Sequence, residues 1–323
     1  PAFHQVASGA HVVAVMTHPL PCPGRCNLCP EARGAPKSYL PDSPVVLRAG
    51  RSGFDPYRQV AGRIKVYPEN GHVPSKVEVV VMGGAPSLPR WYREWFVANV
   101  FKALNDFPEW RPGADPSPDL EREHLRNEEA AVRLVALTVE TRPDYIDEGE
   151  VDFLLRLGVT RLELGVQSIY DDVLARVGRG HGAAEVVRAT ALLKDSAYKV
   201  CYHLMPGLPG SGPERDLEMM REVFSNPDFM PDCVKIYPTY VVPGTGLFEE
   251  WRRGACRSYD EETWLDLLAR MYASVPRWAR VMRLGRDIPL HHVVDGPRWG
   301  NMRQVVLIHM ERLGLKCVEI RCR

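Results

Sequence analysis

His11-Val12-Val13-Ala14-Val15-Met16, followed by Cys22-Pro23-Gly24-Arg25-Cys26-Asn27-Leu28-Cys29, decides how the rest of the chain is read. The first run is nearly continuous in apolar residues, as expected of a strand covered on both faces. The second has the spacing C-x3-C-x2-C and follows that strand directly. A cubane iron–sulfur cluster wants a thiolate, or a substitute, at each of its irons. Three cysteines in one short loop satisfy all but one iron. The open iron can then chelate the amino and carboxylate groups of an amino-acid-like ligand, the coordination that cleaves S-adenosylmethionine. The alternative is zinc, which takes four ligands, often as two paired knuckles. His18 could supply the fourth. Spacing and position favour a [4Fe-4S] cluster on Cys22, Cys26 and Cys29.

Working outward, the same strand pattern returns at 77–82, 134–139, 161–166, 199–205 and 233–237. Helical spacing of apolar residues separates these runs at 88–104, 151–157, 183–193, 214–224 and 261–272. Such alternation implies βαβ units and a parallel sheet, which right-handed crossovers curl into a full or partial barrel. The expected fold class is therefore α/β, a partial TIM-type (βα)6 barrel over residues 1–277. A C-terminal extension is expected over 278–323, where the pattern changes. Residues 34–58, rich in Pro, Gly, Ser and Arg, read as a long loop. Residues 108–119 read as an exposed acidic loop.

In a parallel barrel the C-terminal strand ends share one rim, where sites are built. Gly83-Gly84 ends the second strand and leaves backbone free to meet a methionine ammonium; a tight turn is the alternative. Glu140 ends the third strand and could accept from ribose hydroxyls or the ammonium, or could pair with Arg142 or Arg161. Gln167 ends the fourth and could bond ribose or carboxylate, while Glu163 on that strand could be a cofactor contact or a satisfied internal group. Met205 begins a turn that could lie flat along adenine.

Formal net charge is zero, from 41 basic and 41 acidic residues. Bases concentrate in 25–65 and 270–323 and acids in 101–150, so a neutral chain can still present a basic face. No apolar run is long enough to cross a bilayer. The eight cysteines make a poor disulfide framework, which points to the reducing cytoplasm. The sequence begins at Pro1 without Met, consistent with a fragment of a longer protein.

Further motifs accompany the cysteines: Ser75-Lys76-Val77-Glu78-Val79-Val80-Val81-Met82-Gly83-Gly84, Glu140-Thr141-Arg142-Pro143-Asp144-Tyr145, Arg161-Leu162-Glu163-Leu164-Gly165-Val166-Gln167-Ser168, Arg179-Gly180-His181, Lys235-Ile236-Tyr237-Pro238-Thr239 and Pro243-Gly244-Thr245-Gly246-Leu247. Together they resemble the radical SAM half of the Elongator catalytic subunit family in its bacterial or archaeal form. The resemblance covers nearly the whole chain. It implies a transferase that makes 5-carboxymethyluridine at the wobble position, residue 34 of tRNA, from acetyl-CoA and S-adenosylmethionine. The implied sequence is one-electron reduction of the cluster, cleavage to a 5′-deoxyadenosyl radical, hydrogen abstraction from the acetyl methyl, addition to uridine C5, and hydrolysis of the thioester. Lys76 occupies the position credited with contacting acetyl-CoA. Leu28 stands where the family commonly has an aromatic residue. The family's C-terminal acetyltransferase-type domain would begin where this chain stops.

A tRNA anticodon stem-loop needs a basic track and a base-extrusion site. Arg33, Lys37, Arg48, Arg51 and Arg58, with Arg283 and Arg286, are the expected tRNA contacts. Lys235 and Tyr237 are the expected catalytic residues facing the extruded uridine. Cys317 and Cys322 are expected either to join a zinc at the junction with the acetyltransferase domain or to be buried thiols. A homodimer or Elongator-like subunits are the possible protein partners. Two readings compete with the main one: a different radical SAM reaction on tRNA, such as methylthiolation, and a tRNA-binding scaffold with a structural cluster.

Overall fold

A computed structural model describes residues 9–72, 74–83 and 88–322. The chain forms two compact units, one of Pro1–Cys22, Ala32–Glu140 and Gly149–Arg161, the other of Pro23–Glu31, Thr141–Glu148 and Leu162–Arg323. Strand order follows chain order in both.

The first unit holds β1 (His11–Met16), α1 (Pro44–Arg51), α2 (Pro56–Glu69), β2 (Lys76–Met82), α3 (Arg90–Asn105), α4 (Leu120–Glu128) and β3 (Arg133–Thr141), with most of α5 (Glu148–Arg156). β1 and β2 run parallel, Val13 against Val79 and Met16 against Met82. β2 and β3 are also parallel, with an irregularity at Val77 and Glu78. Val13, Val15 and Val79 are fully buried, and each such side chain adds roughly 1.5–3 kcal/mol by leaving water. Gln59 of α2 grips the end of β1: its Oε1 accepts from Met16 N at 2.8 Å and its Nε2 donates to Met16 O at 2.9 Å. The end of the strand that leads into the cysteine loop is thereby fixed.

The loop expected over 34–58 is corrected: it contains α1 and the start of α2. The prolines that suggested a loop are the starts of these helices. Pro44 and Pro56 stand in the first turn, where a missing N–H is not needed by the helix. Asp55 caps α2 by accepting from Arg58 N at 2.9 Å. The acidic segment 108–119 carries no helix or strand, as expected.

The second unit holds β4 (Arg161–Gln167) from its second residue on, α6 (Asp171–Arg176), α7 (Ala183–Asp195), β5 (Lys199–Leu204), α8 (Pro213–Ser225), β6 (Cys233–Ile236), α9 (Gly246–Arg252), α10 (Glu261–Ala273), β7 (Arg280–Leu284) and α11 (Met302–Arg312). β5, β6 and β7 are parallel neighbours, with His203 beside Lys235 and Val234 beside Val281. β7 lies inside the segment expected as an extension. Arg280 and Arg283 interrupt its sequence, and only Val281 is buried, so it lacks the continuous apolar run of its neighbours.

Candidate active site

The loop Pro23–Glu31 belongs to the second unit and carries Cys26 and Cys29; Cys22 is the last residue of the preceding segment. Cys26 and Leu28 are buried in an apolar cluster with Val173, Val177, Met205 and Leu247, and Cys29 packs against it. Asn27, between the two cysteines, is clamped from three sides. Its N–H donates to Val177 O at 3.1 Å, its carbonyl accepts from Leu247 N at 3.0 Å, and its Nδ2 donates to Glu250 Oε1 at 2.8 Å. Two glycines make the clamp possible. A Cβ at Gly178, where φ is +67°, would lie 2.9 Å from the Arg25 carbonyl oxygen, and one at Gly246 would lie 2.9 Å from Asn27 Cβ. The segments 177–181 and 243–247 thus hold the cysteine loop. No role was read for Arg179, Gly246 or Asn27 from sequence.

Electrostatics favour a thiolate here. The Cys26 thiol is drawn down to about 5, chiefly by a hydrogen bond from the Cys29 thiol, which with the nearby Arg179 and Arg142 guanidiniums outweighs the upward push of burial. Arg179 Nη1 lies 3.5 Å from Cys26 Sγ, and Nη2 donates to the Gly165 carbonyl. Arg142 is held by both oxygens of Asp144, at 2.9 and 2.7 Å. His181 is buried and its pKa is lowered to about 4, first by burial and then by Arg179. It is therefore neutral at pH 7, although Asp144 Oδ1 is 3.7 Å away.

Three strands bring Glu163, His203 and Lys235 together. His203 Nε2 is 3.1 Å from Glu163 Oε2, and the Lys235 ammonium is ion-paired with the same oxygen. Burial alone raises the Glu163 pKa, but the charge of Lys235 and the His203 bond outweigh it and hold the carboxyl below its ordinary range. The Tyr237 ring meets His203 edge-on, 5.2 Å between centroids. The structure therefore brings the expected Glu163, Lys235 and Tyr237 into one cluster. It adds His203, whose only signal in the sequence is a polar residue inside an apolar strand. Gln167 has φ +68°, a backbone form that costs a non-glycine residue about 1–3 kcal/mol and tends to mark function. Its carbonyl accepts from Met205 N at 2.8 Å, while its buried side-chain Oε1 has no hydrogen-bond partner.

The other expected residues are distributed as follows. Gly83 sits at φ +104°, and its carbonyl accepts from Thr17 Oγ1 at 2.9 Å; Gly84 lies outside the described residues. Glu140 accepts from Tyr39 OH at 2.7 Å, while Arg142 is taken by Asp144 and Arg161 by Glu78. Lys76 is exposed at the first residue of β2, the end opposite Gly83, so it is not among the strand-end residues. Arg33, Arg48, Arg51 and Arg58 are exposed and Lys37 half-buried. Arg58 is engaged locally, donating to Pro112 O at 2.6 Å. Arg283 donates to Gly285 O at 3.1 Å and pairs with Asp287 at 3.1 Å; Arg286 is half-buried. Cys317 and Cys322 are bonded to each other. Neither the zinc nor the free thiols expected there are found, because a sulfur in a disulfide has no thiolate to offer a metal. His18, the alternative zinc ligand, stacks edge-on against Phe54.

The family model of the radical SAM superfamily matches residues 17–223, and that of the radical SAM C-terminal domain matches 231–312. The "tRNA uridine(34) acetyltransferase" of Dehalococcoides mccartyi is 42% identical over 317 residues, 98% of this chain and 67% of that protein. The chain belongs to the radical SAM superfamily, in the family of the tRNA uridine(34) acetyltransferases. The radical SAM fold is the partial TIM-type barrel that the strand pattern implied. The protein of the same name from Methanocaldococcus infernus is 44% identical across 98% of this chain, and "Elongator complex protein 3" of Saccharomyces cerevisiae is 42% identical across 99%. The chain spans 59% and 58% of their lengths. A solved structure, "The archaeal Methanocaldococcus infernus Elp3 with N-terminus deletion (1-46)", superposes with a TM-score of 0.83 at 41% identity, covering 98% of this chain and 66% of that one. Radical SAM membership implies a [4Fe-4S] cluster and S-adenosylmethionine, and the residues fit both. Cys26 is already drawn toward the thiolate that binds iron, and the buried Gln167 Oε1 awaits a donor.

Proposed function

We propose that this chain is the radical-generating part of an enzyme that converts wobble uridine 34 of tRNA to 5-carboxymethyluridine with acetyl-CoA as carbon donor. The observation that carries it is the thiolate-favouring Cys26 loop, clamped through Asn27 and packed on Met205 in the unit that also buries the Glu163–His203–Lys235 cluster. Relatives named for tRNA uridine(34) acetylation support the substrate. Cys22, Cys26 and Cys29 would hold the cluster, and Gln167 and Glu140 would offer acceptors to S-adenosylmethionine. Bound there, the two groups supply one-electron chemistry able to open an unactivated C–H bond. Lys235, ion-paired with Glu163, presents a fixed positive charge; using it as a base would first require breaking that pair. Exposed Arg33, Arg48 and Arg51 are the tRNA contacts in this reading. The anticodon stem-loop is the macromolecular substrate, the cytoplasm the compartment, and Elongator-like subunits or a second copy the protein partners. Among the described residues no helix is long and apolar enough to cross a membrane.

The test is anaerobic reconstitution followed by assay of S-adenosylmethionine cleavage with acetyl-CoA and tRNA. Brown protein whose cleavage is stimulated by acetyl-CoA is expected. Colourless protein with stoichiometric zinc would sink the reading. Stimulation by a sulfur donor instead would favour methylthiolation. Cofactor left intact, with tRNA affinity unchanged in the triple cysteine variant, would favour the scaffold.

A further inference from the structure

We infer that Arg179 sets the reduction potential of the cluster by holding a buried guanidinium against the Cys26 sulfur. The inference rests on the reading of Cys22, Cys26 and Cys29 as cluster ligands.

Arg179 is 5% exposed. Arg93, the other buried arginine among the described residues, pairs with Glu150, and the half-buried Arg142 and Arg161 pair with Asp144 and Glu78. Among the described residues no carboxylate forms an ion pair with Arg179. Its Nη1 faces Cys26 Sγ at 3.5 Å, its Nη2 is taken by the Gly165 carbonyl, and its Nε is buried without a hydrogen-bond partner. A buried cation without a counter-charge is costly, so the anion this site is built around is the sulfur.

The surroundings fix the guanidinium there. Arg179 N donates to Leu174 O at 3.0 Å, and Gly178 at φ +67° turns the chain just before it. A Cβ on Gly165 would come within 3.0 Å of Nη2. This explains a glycine inside a buried strand whose other residues are large: it makes room for the arginine. His181 beside it is neutral and adds no competing charge.

Hydrogen bonds to ligand sulfurs, local charge and solvent exposure are what tune cluster potentials. Reduction adds one electron from a low-potential one-electron donor. No bond is made or broken, and the negative charge on the cluster and its thiolates grows by one. A fixed cation at one of those thiolates stabilises the reduced form more than the oxidised form and raises the potential.

The experiment is a redox titration, monitored by electron paramagnetic resonance, of the anaerobically reconstituted chain, using dithionite and neither S-adenosylmethionine nor tRNA. Arg179→Gln is expected to make reduction at least tenfold less favourable, a midpoint lower by about 59 mV for one electron. Arg179→Lys, which keeps the charge, is expected to recover most of the shift. Gly165→Ala, which crowds the guanidinium without removing it, is expected to shift the midpoint the same way by less, and it decides the matter should the Arg179 variants fail to fold. An unchanged midpoint in folded variants holding wild-type iron overturns the inference. So does loss of iron from both Arg179 variants with wild-type circular dichroism, which would assign Arg179 to cluster retention. A wild-type chain that binds no iron would instead overturn the cysteine reading on which the inference stands.

Discussion

Among the described residues two lysines are buried, one in each unit, and they differ in company. Lys102 of α3 is 7% exposed, with Asp106, Asp115 and Glu123 at 4.0, 3.8 and 3.7 Å. Arg126 pairs with Glu123 at 2.7 Å and Asp106 at 2.9 Å, and Tyr57 and Asn105 donate to the same carboxylates. Lys235 lies on β6, directly in register with His203 of β5, and shares the Glu163 carboxylate with it. The first cluster ties helices together with redundant bonds. The second sits on adjacent parallel strands, with Glu163 midway along β4 and His203 and Lys235 toward the C-terminal ends of β5 and β6, the ends at which parallel α/β folds place chemistry. Burial and charge alone do not separate a scaffold from a site; the elements that carry the groups do.

The largest effect that could break this comparison comes from removing one partner in each cluster. Lys102→Met leaves Asp106 and Glu123 short of a cation, and is expected to cost about 3–5 kcal/mol in urea unfolding. Iron content per folded molecule should not change. Glu163→Gln leaves Lys235 without its carboxylate; a stability loss of similar size is expected. In addition, S-adenosylmethionine cleavage per folded molecule should fall about 10²-fold, as misplaced groups in a site typically cost. If cleavage is intact in Glu163→Gln, the second cluster is scaffold like the first.

A smaller effect sharpens the same contrast through glycines. Gly158 and Gly178 sit at φ +79° and +67°, so alanine at either adds backbone strain of about 1–3 kcal/mol. At Gly158 the added carbon would meet His124 no closer than 3.5 Å, an ordinary contact; at Gly178 it would meet the Arg25 carbonyl at 2.9 Å. Gly158→Ala should lower stability and leave iron binding alone. Gly178→Ala should also lower iron occupancy several-fold, measured by iron and sulfide content. Equal iron in the two variants would show that the clamp on the cysteine loop is not needed to load it.

The first six strands were legible because each is a nearly continuous apolar run, and the cysteine loop because its spacing is a chemical constraint. β7 was not, since a five-residue strand interrupted by Arg280 and Arg283, with Val281 alone buried, carries no such run. Helices α1 and α2 were hidden because proline reads as a breaker until its first-turn position is known. The site was half legible. Glu163 and Lys235 were named separately, but nothing local in a sequence announces an ion pair 72 residues apart. Arg179 was quoted within a motif yet given no role, because its meaning lies in a sulfur 153 residues away. The pairing of Cys317 with Cys322 was not legible, because close spacing does not say whether two sulfurs bond each other or a metal.

The smallest effect concerns a third buried carboxylate, and its sign is opposite to that of Glu163. Asp216 of α8 accepts from Gly207 N at 2.6 Å, Ser211 Oγ at 2.6 Å and Tyr259 OH at 2.8 Å, fixing the turn after Met205. Its bonding partners are neutral donors, and burial pushes its pKa up to about 6 despite them. For Glu163, whose folded pKa is lowered, stability is present at neutral pH and is lost as the carboxyl protonates in acid. For Asp216 the folded pKa lies above the unfolded one, so its contribution is full below about pH 4, declines as pH rises to about 6, and is flat beyond. The span corresponds to about 3 kcal/mol at most. His181, lowered to about 4, loses stability as pH falls through the same window, so the wild-type profile mixes the two slopes. The clean measurement is therefore a difference. Urea unfolding of Asp216→Asn against wild type at pH 4.5 and 7.5 should show the variant gaining stability relative to wild type at the higher pH. A difference that does not move between the two pH values would mean that Asp216 titrates as it does in the unfolded chain, its neutral donors offsetting its burial where the cations around Glu163 more than offset the burial of that carboxyl.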